Sequence, residues 1–192
     1  MYFYLITIAY DGSDFAGWAI QPNQFTVQGY IEDILSKIFQ QKISILATSR
    51  TDKGVHAHNQ NFTLRIPLSF SGEKLFNLLK KALSEYVLVK KVKKVDSNFH
   101  PIRNVVKKEY RYFIDTGNYN VFQRKYFWEY NLPLETKKLN NILQVFQGEH
   151  NFFNFKIVIL FLFHLFNFFF HQVIENLKIL LNIFDNAKAC CH

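Results

Sequence analysis

Two hydrophobic periods alternate along the first 95 residues, and this alternation is the tightest constraint on the fold. YFYLITIAY (Tyr2–Tyr10) is rich in β-branched and aromatic residues and stops at Asp11-Gly12, so it reads as a strand entering a turn. In TVQGYIEDILSKIF the apolar Val27, Ile31, Ile34, Leu35 and Ile38 recur at helical spacing behind Thr26, a side chain suited to the N-cap. Residues 43–47 form a short strand. Gln60, Phe62, Leu64 and Ile66 then alternate with Asn61, Thr63 and Arg65 until Pro67 ends the ladder. Ser71 caps a helix with Leu75, Leu78, Leu79 and Ala82 on one side, and residues 87–95 make a weak strand carrying Lys90, Lys91, Lys93 and Lys94.

The later pattern is sparser. Residues 105–114 read as one alternating strand, with Tyr110, Tyr112 and Ile114 facing one way and Glu109, Arg111 and Phe113 the other. A helix follows Pro133, with Leu139, Ile142, Leu143 and Phe146 inward and Gly148 as its stop. The order is α+β, with a boundary where DSNFHPIRN interrupts both periods at residues 96–104. This divides the chain into an N-terminal α/β half (1–98), the start of a second half (99–155) and a tail (156–192).

The tail differs in kind. It holds none of the 7 Gly, 4 Pro or 5 Arg, and Phe, Ile, Leu, Asn and Lys fill most of it, which points to a frameshifted or decayed ending. Residues 157–174 carry no Asp, Glu, Lys or Arg and just reach the length of a membrane span. His164, Asn167, His171 and Gln172 would each be costly in hydrocarbon, so a buried or aggregating helix is the better reading and no membrane is expected.

A formal net charge of +8 favours an anionic partner, nucleic acid or a membrane surface. The only cysteines, Cys190 and Cys191, are adjacent and give no disulfide framework; with no signal-peptide pattern at the start, this suggests a cytoplasmic setting. No phosphate-cradling glycine motif is present.

Reactive groups are densest in ATSRTDKGVHAHNQ, residues 47–60, where Arg50, Asp52, Lys53, His56 and His58 crowd one loop between two strands. A carboxylate beside cations has its charged form favoured, which suits a nucleophile or electrostatic stabiliser, and Gly54 permits a sharp turn that exposes it. From the residues alone, a solvated turn satisfying its own backbone is the competing reading. His56 and His58, two apart in extended chain, would point the same way and can ligate a metal, but no third ligand is evident. Tyr110 and Tyr112 interleave with Lys107, Lys108 and Arg111, a composition that stacks a base and neutralises phosphate, or equally a core strand with a solvated edge.

Four ordered strings carry a resemblance. YDGSDFAGWAIQPNQFTVQGYIE (10–32), SRTDKGVHA (49–57), DSNFHPIRNVVKKEYRYFI (96–114) and GEHNFFNF (148–155) together resemble the TruA family of tRNA pseudouridine synthases. The resemblance implies two similar, ferredoxin-like α/β halves sharing a central, mostly antiparallel sheet, with an RNA-binding cleft between them and a homodimer. It implies isomerisation of uridine to pseudouridine at nucleotides 38 to 40 of the tRNA anticodon stem-loop, with no metal, nucleotide or other cofactor. Asp52 matches the family's catalytic aspartate. Arg50 matches the arginine that displaces the target base, and Tyr110 the tyrosine that stacks on the uracil. Lys107, Lys108, Arg111 and His100 complete the candidate substrate-binding set, with Lys107, Lys108 and the lysines at 90–94 as candidates for phosphate contacts or, equally, a solvated face. The family continues past its last matched block with a strand and an arginine that pairs with the aspartate, whereas this chain has no arginine after Arg124. That departure leaves the second half a strand short and raises an alternative, a catalytically silent tRNA-binding remnant.

Overall fold

The computed structural model describes residues 1–117, 120–130, 135–144 and 146–149, together with the backbone of 179–181. The apolar stretch at 157–174, expected as a buried or aggregating helix, lies outside the described residues. Two compact units are present, and residues 1–106 make up the described part of the first.

The first unit runs β1 (Tyr2–Tyr10), a short 3-10 turn (Gly12–Asp14), α1 (Val27–Phe39), β2 (Leu46–Ala47), β3 (Ala57–Ile66), α2 (Gly72–Ala82) and β4 (Val87–Val95). Its strands pair antiparallel in the order β2-β3-β1-β4, the βαββαβ arrangement of ferredoxin-like folds. Period-two burial decides which way the sheet faces. Tyr4, Ile6, Ile8 and Tyr10 of β1 lie opposite Leu64, Phe62, Gln60 and Ala57 across the ladder, and these β1 residues share one core with Val27, Ile31 and Leu35 of α1 and Leu75 and Leu79 of α2. Each fully buried Ile or Leu contributes about 1.5–3 kcal/mol, so this core is the main source of the unit's stability. The other face presents Phe3, Leu5, Thr7, Thr63, Arg65, Lys91 and Lys93.

Both helices begin where the sequence places them. Thr26 Oγ1 accepts from the Gly29 amide at 3.3 Å, and Ser71 Oγ from the Lys74 amide at 3.3 Å, each satisfying a donor that has no partner within its helix. Two further first-turn amides of α1 are bound from outside the helix. Val27 N–H donates to the Gly17 carbonyl (3.1 Å) and Gln28 N–H to the Trp18 carbonyl (3.0 Å), which seats the Phe15–Trp18 stretch on the helix start. Strand β4 is, with β2, one of the two edge strands of the described sheet. Its exposed lysines are the kind of side chain that keeps an open edge from pairing with another chain.

The second unit begins at Lys107. Its elements are β5 (Tyr110–Tyr112), β6 (Ile114–Asp115), β7 (Trp128–Glu129), α3 (Thr136–Gln144) and β8 (Ile179–Leu181). β5 pairs antiparallel with β8, and β6 parallel with β7. Ile114, Tyr130 and Leu139 form a small core, with Trp128 and Leu143 against it. The single strand expected over 105–114 is thus two short ones, neither starting before Tyr110. Lys107, Lys108 and Glu109 separate Val105 and Val106 from the strand, and Val106 is almost fully exposed, so little apolar burial extends the ladder. In α3, Leu139 and Leu143 face the core as expected. Ile142 is exposed, and the helix ends at Gln144, which leaves Phe146 beyond it and exposed as well.

Candidate active site

The loop joining β2 to β3 lies across the segment that follows β1, and that docking shapes the site. At the loop's upstream end, Gln60 is almost fully buried at the base of β3. Its Nε2 donates to the Ser49 carbonyl at 2.6 Å, while its Oε1 accepts from the hydroxyls of Thr48 and Ser49. A buried amide with both ends bonded fixes the chain as it enters the turn. One residue before Asp52, the Thr51 carbonyl accepts from Trp18 N–H at 2.9 Å, and the Thr51 hydroxyl bonds the Tyr10 phenol at 2.8 Å. Trp18 is itself packed in the core against Tyr10 and Phe62.

Asp52 sits on the turn that follows. Val55 N–H donates to the Asp52 carbonyl at 3.2 Å, closing the turn, and Gly54 adopts φ +78° as its sharpness requires. The loop backbone rests on two glycines. A side chain at Gly17, where φ is +113°, would meet the Thr51 carbonyl oxygen at 2.9 Å, and one at Gly12 would meet the Val55 carbonyl oxygen at 2.2 Å. Only glycine lets the two segments approach so closely. The glycines of the 10–18 segment and the loop 49–57 are therefore parts of one construction.

The carboxylate itself stands outward. Among the described residues, Asp52 and Arg50 are exposed and their side chains make no hydrogen bond or ion pair, although the backbone around them is tightly bonded. A rigid turn presenting an uncommitted carboxylate is what attack on an electrophilic carbon, or abstraction of a proton, requires of a protein.

Downstream, His56 is half-buried against Asp11 and Gly12. Its Nδ1 lies 2.9 Å from Asp11 Oδ1 and 3.1 Å from the Gly12 nitrogen. β3 starts only at Ala57, and the β1–β3 ladder shifts register between Ile8 and Tyr10, so the two-residue alternation that would align His56 with His58 does not run through them. Lys90 Nζ donates to the His58 carbonyl (3.1 Å) and to Asn59 Oδ1 (2.8 Å), tying β4 to the start of β3. No group of three or more metal-ligating side chains occurs among the described residues.

The other sequence-derived candidates lie further along. His100 caps a turn, its Nδ1 accepting from the amides of Ile102 and Arg103 at 3.3 and 3.4 Å. In the second unit, Tyr110 and Tyr112 project from β5 and are 40% and 45% exposed. Partial burial and the neighbouring Tyr110 raise the Tyr112 phenol above its ordinary range. Arg111 and, at 3.3 Å, Lys107 both bind the Glu109 carboxylate, which they hold below its usual range, with Arg111 the larger influence. Lys108 is also engaged rather than free. Sequence reasoning did not find Gln60, Tyr10 or Trp18 as parts of the site. Their signal is a buried polar side chain or an aromatic next to the loop, and strand periodicity alone assigns such residues to the core.

No family model matches the sequence. Individual proteins do. The chain is 41% identical over 156 residues to a protein of Mycoplasma genitalium named tRNA pseudouridine synthase A, a match that covers 79% of this chain and 62% of the relative. Proteins of the same name from Thermotoga petrophila (42% over 151 residues; 78% of this chain, 62% of the relative) and Ureaplasma parvum (37% over 154 residues; 79% and 64%) match comparably. The chain spans less than two thirds of the length of these curated relatives. Over about four fifths of its own length, this chain is similar to proteins named tRNA pseudouridine synthase A.

Proposed function

We propose that this chain is a tRNA pseudouridine synthase that isomerises uridines of the anticodon arm, with Asp52 as its catalytic carboxylate. The observation that carries the reading is the Asp52 turn, bonded through its backbone on both sides while its carboxylate stays uncommitted and exposed. The relatives' shared name supports the substrate class. The homodimer and the cytoplasmic setting belong to the same reading.

The reaction breaks the bond from ribose C1′ to uracil N1, turns the ring and bonds C1′ to C5. The hydrogen on C5 is lost as a proton and N1 gains one, so the change is an isomerisation. A carboxylate divides it into two easier steps by forming and then releasing a covalent adduct. Arg50, exposed two residues before Asp52, fills the space of the extruded base with a planar cation. Tyr110 supplies an exposed aromatic face for the uracil, and Lys107, Lys108 and Arg111 phosphate contacts around it. With its Nδ1 used inside the turn, His100 offers RNA only its other ring nitrogen.

The test is release of tritium from tRNA labelled at uridine C5, with wild type and Asp52→Asn side by side. Release by wild type that falls roughly 10³-fold or more in the variant supports the assignment. A tRNA-binding protein that releases nothing overturns it and leaves the catalytically silent remnant.

A further inference from the structure

Backbone contacts hold the Asp52 turn at its upstream end, through Thr51, and under Val55, where Gly12 lies in contact. One side chain of the loop's downstream arm reaches back to the 10–18 segment, and it is His56. Resting on the proposed function above, we propose that His56 is a positioning residue for Asp52, acting through Nδ1 at the corner formed by Asp11 and Gly12.

The geometry gives that nitrogen a partner in either protonation state. A bare Nδ1 accepts from Gly12 N–H at 3.1 Å; a protonated Nδ1 donates to Asp11 Oδ1 at 2.9 Å. Asp11 is fixed in turn, because the same Oδ1 accepts from Ser13 N–H at 2.8 Å and caps the turn at Gly12–Asp14. The ring therefore anchors the loop four residues after Asp52, to the corner that ends β1. The upstream anchor, Tyr10 to Thr51, rises from the last residue of the same strand. Beside the backbone bonds of Trp18 N–H to the Thr51 carbonyl and of Gly54 N–H to the Phe15 carbonyl, Asp52 is thus held between two side-chain clamps founded on neighbouring residues of one strand end, and slack in either displaces the carboxylate. A misplacement of about 1 Å can cost on the order of 10²-fold in rate, whereas substrate binding elsewhere is unaffected.

Asn and Gln separate this role from a merely structural one. An asparagine amide is attached at Cγ, as Nδ1 is, and offers either a donor or an acceptor at the same place; glutamine reaches one bond further. On tRNA, His56→Gln is expected to lose roughly 10- to 100-fold in kcat with KM nearly unchanged, and His56→Asn to recover to within about threefold of wild type. Amide hydrogen exchange is measured in the same proteins. Faster exchange in His56→Gln confined to residues 51–55, with α1 and α2 as protected as in wild type, supports the clamp. Equal loss in the Asn and Gln variants, a KM change without a kcat change, or unaltered loop exchange overturns it. If wild type itself shows no isomerase activity, the proposed function fails, and loop exchange alone decides whether Nδ1 holds the turn.

Discussion

Gly12 and Val55 touch backbone to backbone: a methyl group on the Gly12 α-carbon would stand 2.2 Å from the Val55 carbonyl oxygen and 2.4 Å from its carbon. Neither atom is the end of a flexible side chain, so Gly12→Ala must push the loop off the β1 corner. The expected cost is about 1–3 kcal/mol in stability, with a larger effect on tritium release, roughly 10²-fold, because the displaced segment carries Asp52. Gly72→Ala is the matched control. Its added carbon meets only the Val92 carbonyl, at 3.6 Å, and both stability and activity should remain at or slightly above wild type. Thermal melts and the release assay on both variants check this.

Tyr10 links stability to alkaline pH. It is 6% exposed, and burial, partly offset by its bond to Thr51, raises its phenol to about 12 from an ordinary 10. Between those values the unfolded chain gives up the proton and the folded chain keeps it. The associated stability is therefore complete below about pH 10 and is lost as pH rises through about 12. The loss is on the order of 2–3 kcal/mol, and Tyr10→Phe lacks it. Urea unfolding of both proteins at pH 8 and near pH 12 should show the wild type falling by more than the variant. Lysine titration is common to both and cancels in the comparison.

Thr26 is buried, with its hydroxyl on the Gly29 amide. Thr26→Ala is expected to cost about 1 kcal/mol, and Thr26→Ser much less, because serine keeps the capping oxygen. Denaturant midpoints of the two variants check the difference. The same helix start receives the carbonyls of Gly17 and Trp18, so a frayed first turn should also loosen the segment under Asp52. Activity should then fall further in Thr26→Ala than its stability loss alone implies.

The first unit was legible in the sequence because its signals are local. Val27, Ile31 and Leu35 repeat at helical spacing behind a capping threonine, and Gln60, Phe62, Leu64 and Ile66 alternate up to a proline; the structure places these residues accordingly. Gln60 shows the limit of that reading. Its parity marks it as inward, but that a buried amide would grip both sides of Ser49 depends on a contact eleven positions away. His56 shows the same limit, since its partners lie 44 and 45 residues back and spacing within its own segment suggested a pairing with His58. The second unit was harder to read. Its strands are two or three residues long, too short for a period to declare itself, and Ile142 keeps helical spacing yet faces outward. The pairing of Ile179–Leu181 with β5 joins positions some 70 residues apart, and no periodicity announces it.

Glu109 sets the electrostatics of the strand that carries Tyr110. Its carboxylate is held below its ordinary range by Arg111 first and Lys107 second, and it draws both cations toward itself. Exposed pairs of this kind are weak and screened, so a phosphate can compete for either cation. Glu109→Gln removes one negative charge and releases two cations, and it should tighten tRNA binding by roughly two- to fivefold at low salt. Replacing Lys107 and Arg111 together by methionine should weaken binding and lower the salt dependence of the affinity by about 1.4 to 1.8 in logarithmic slope, the loss of two phosphate contacts. Fluorescence titrations with tRNA at several salt concentrations measure both. Weaker binding by Glu109→Gln would mean that the carboxylate holds Arg111 and Lys107 in place for RNA rather than away from it, and the double variant would then resemble the single one.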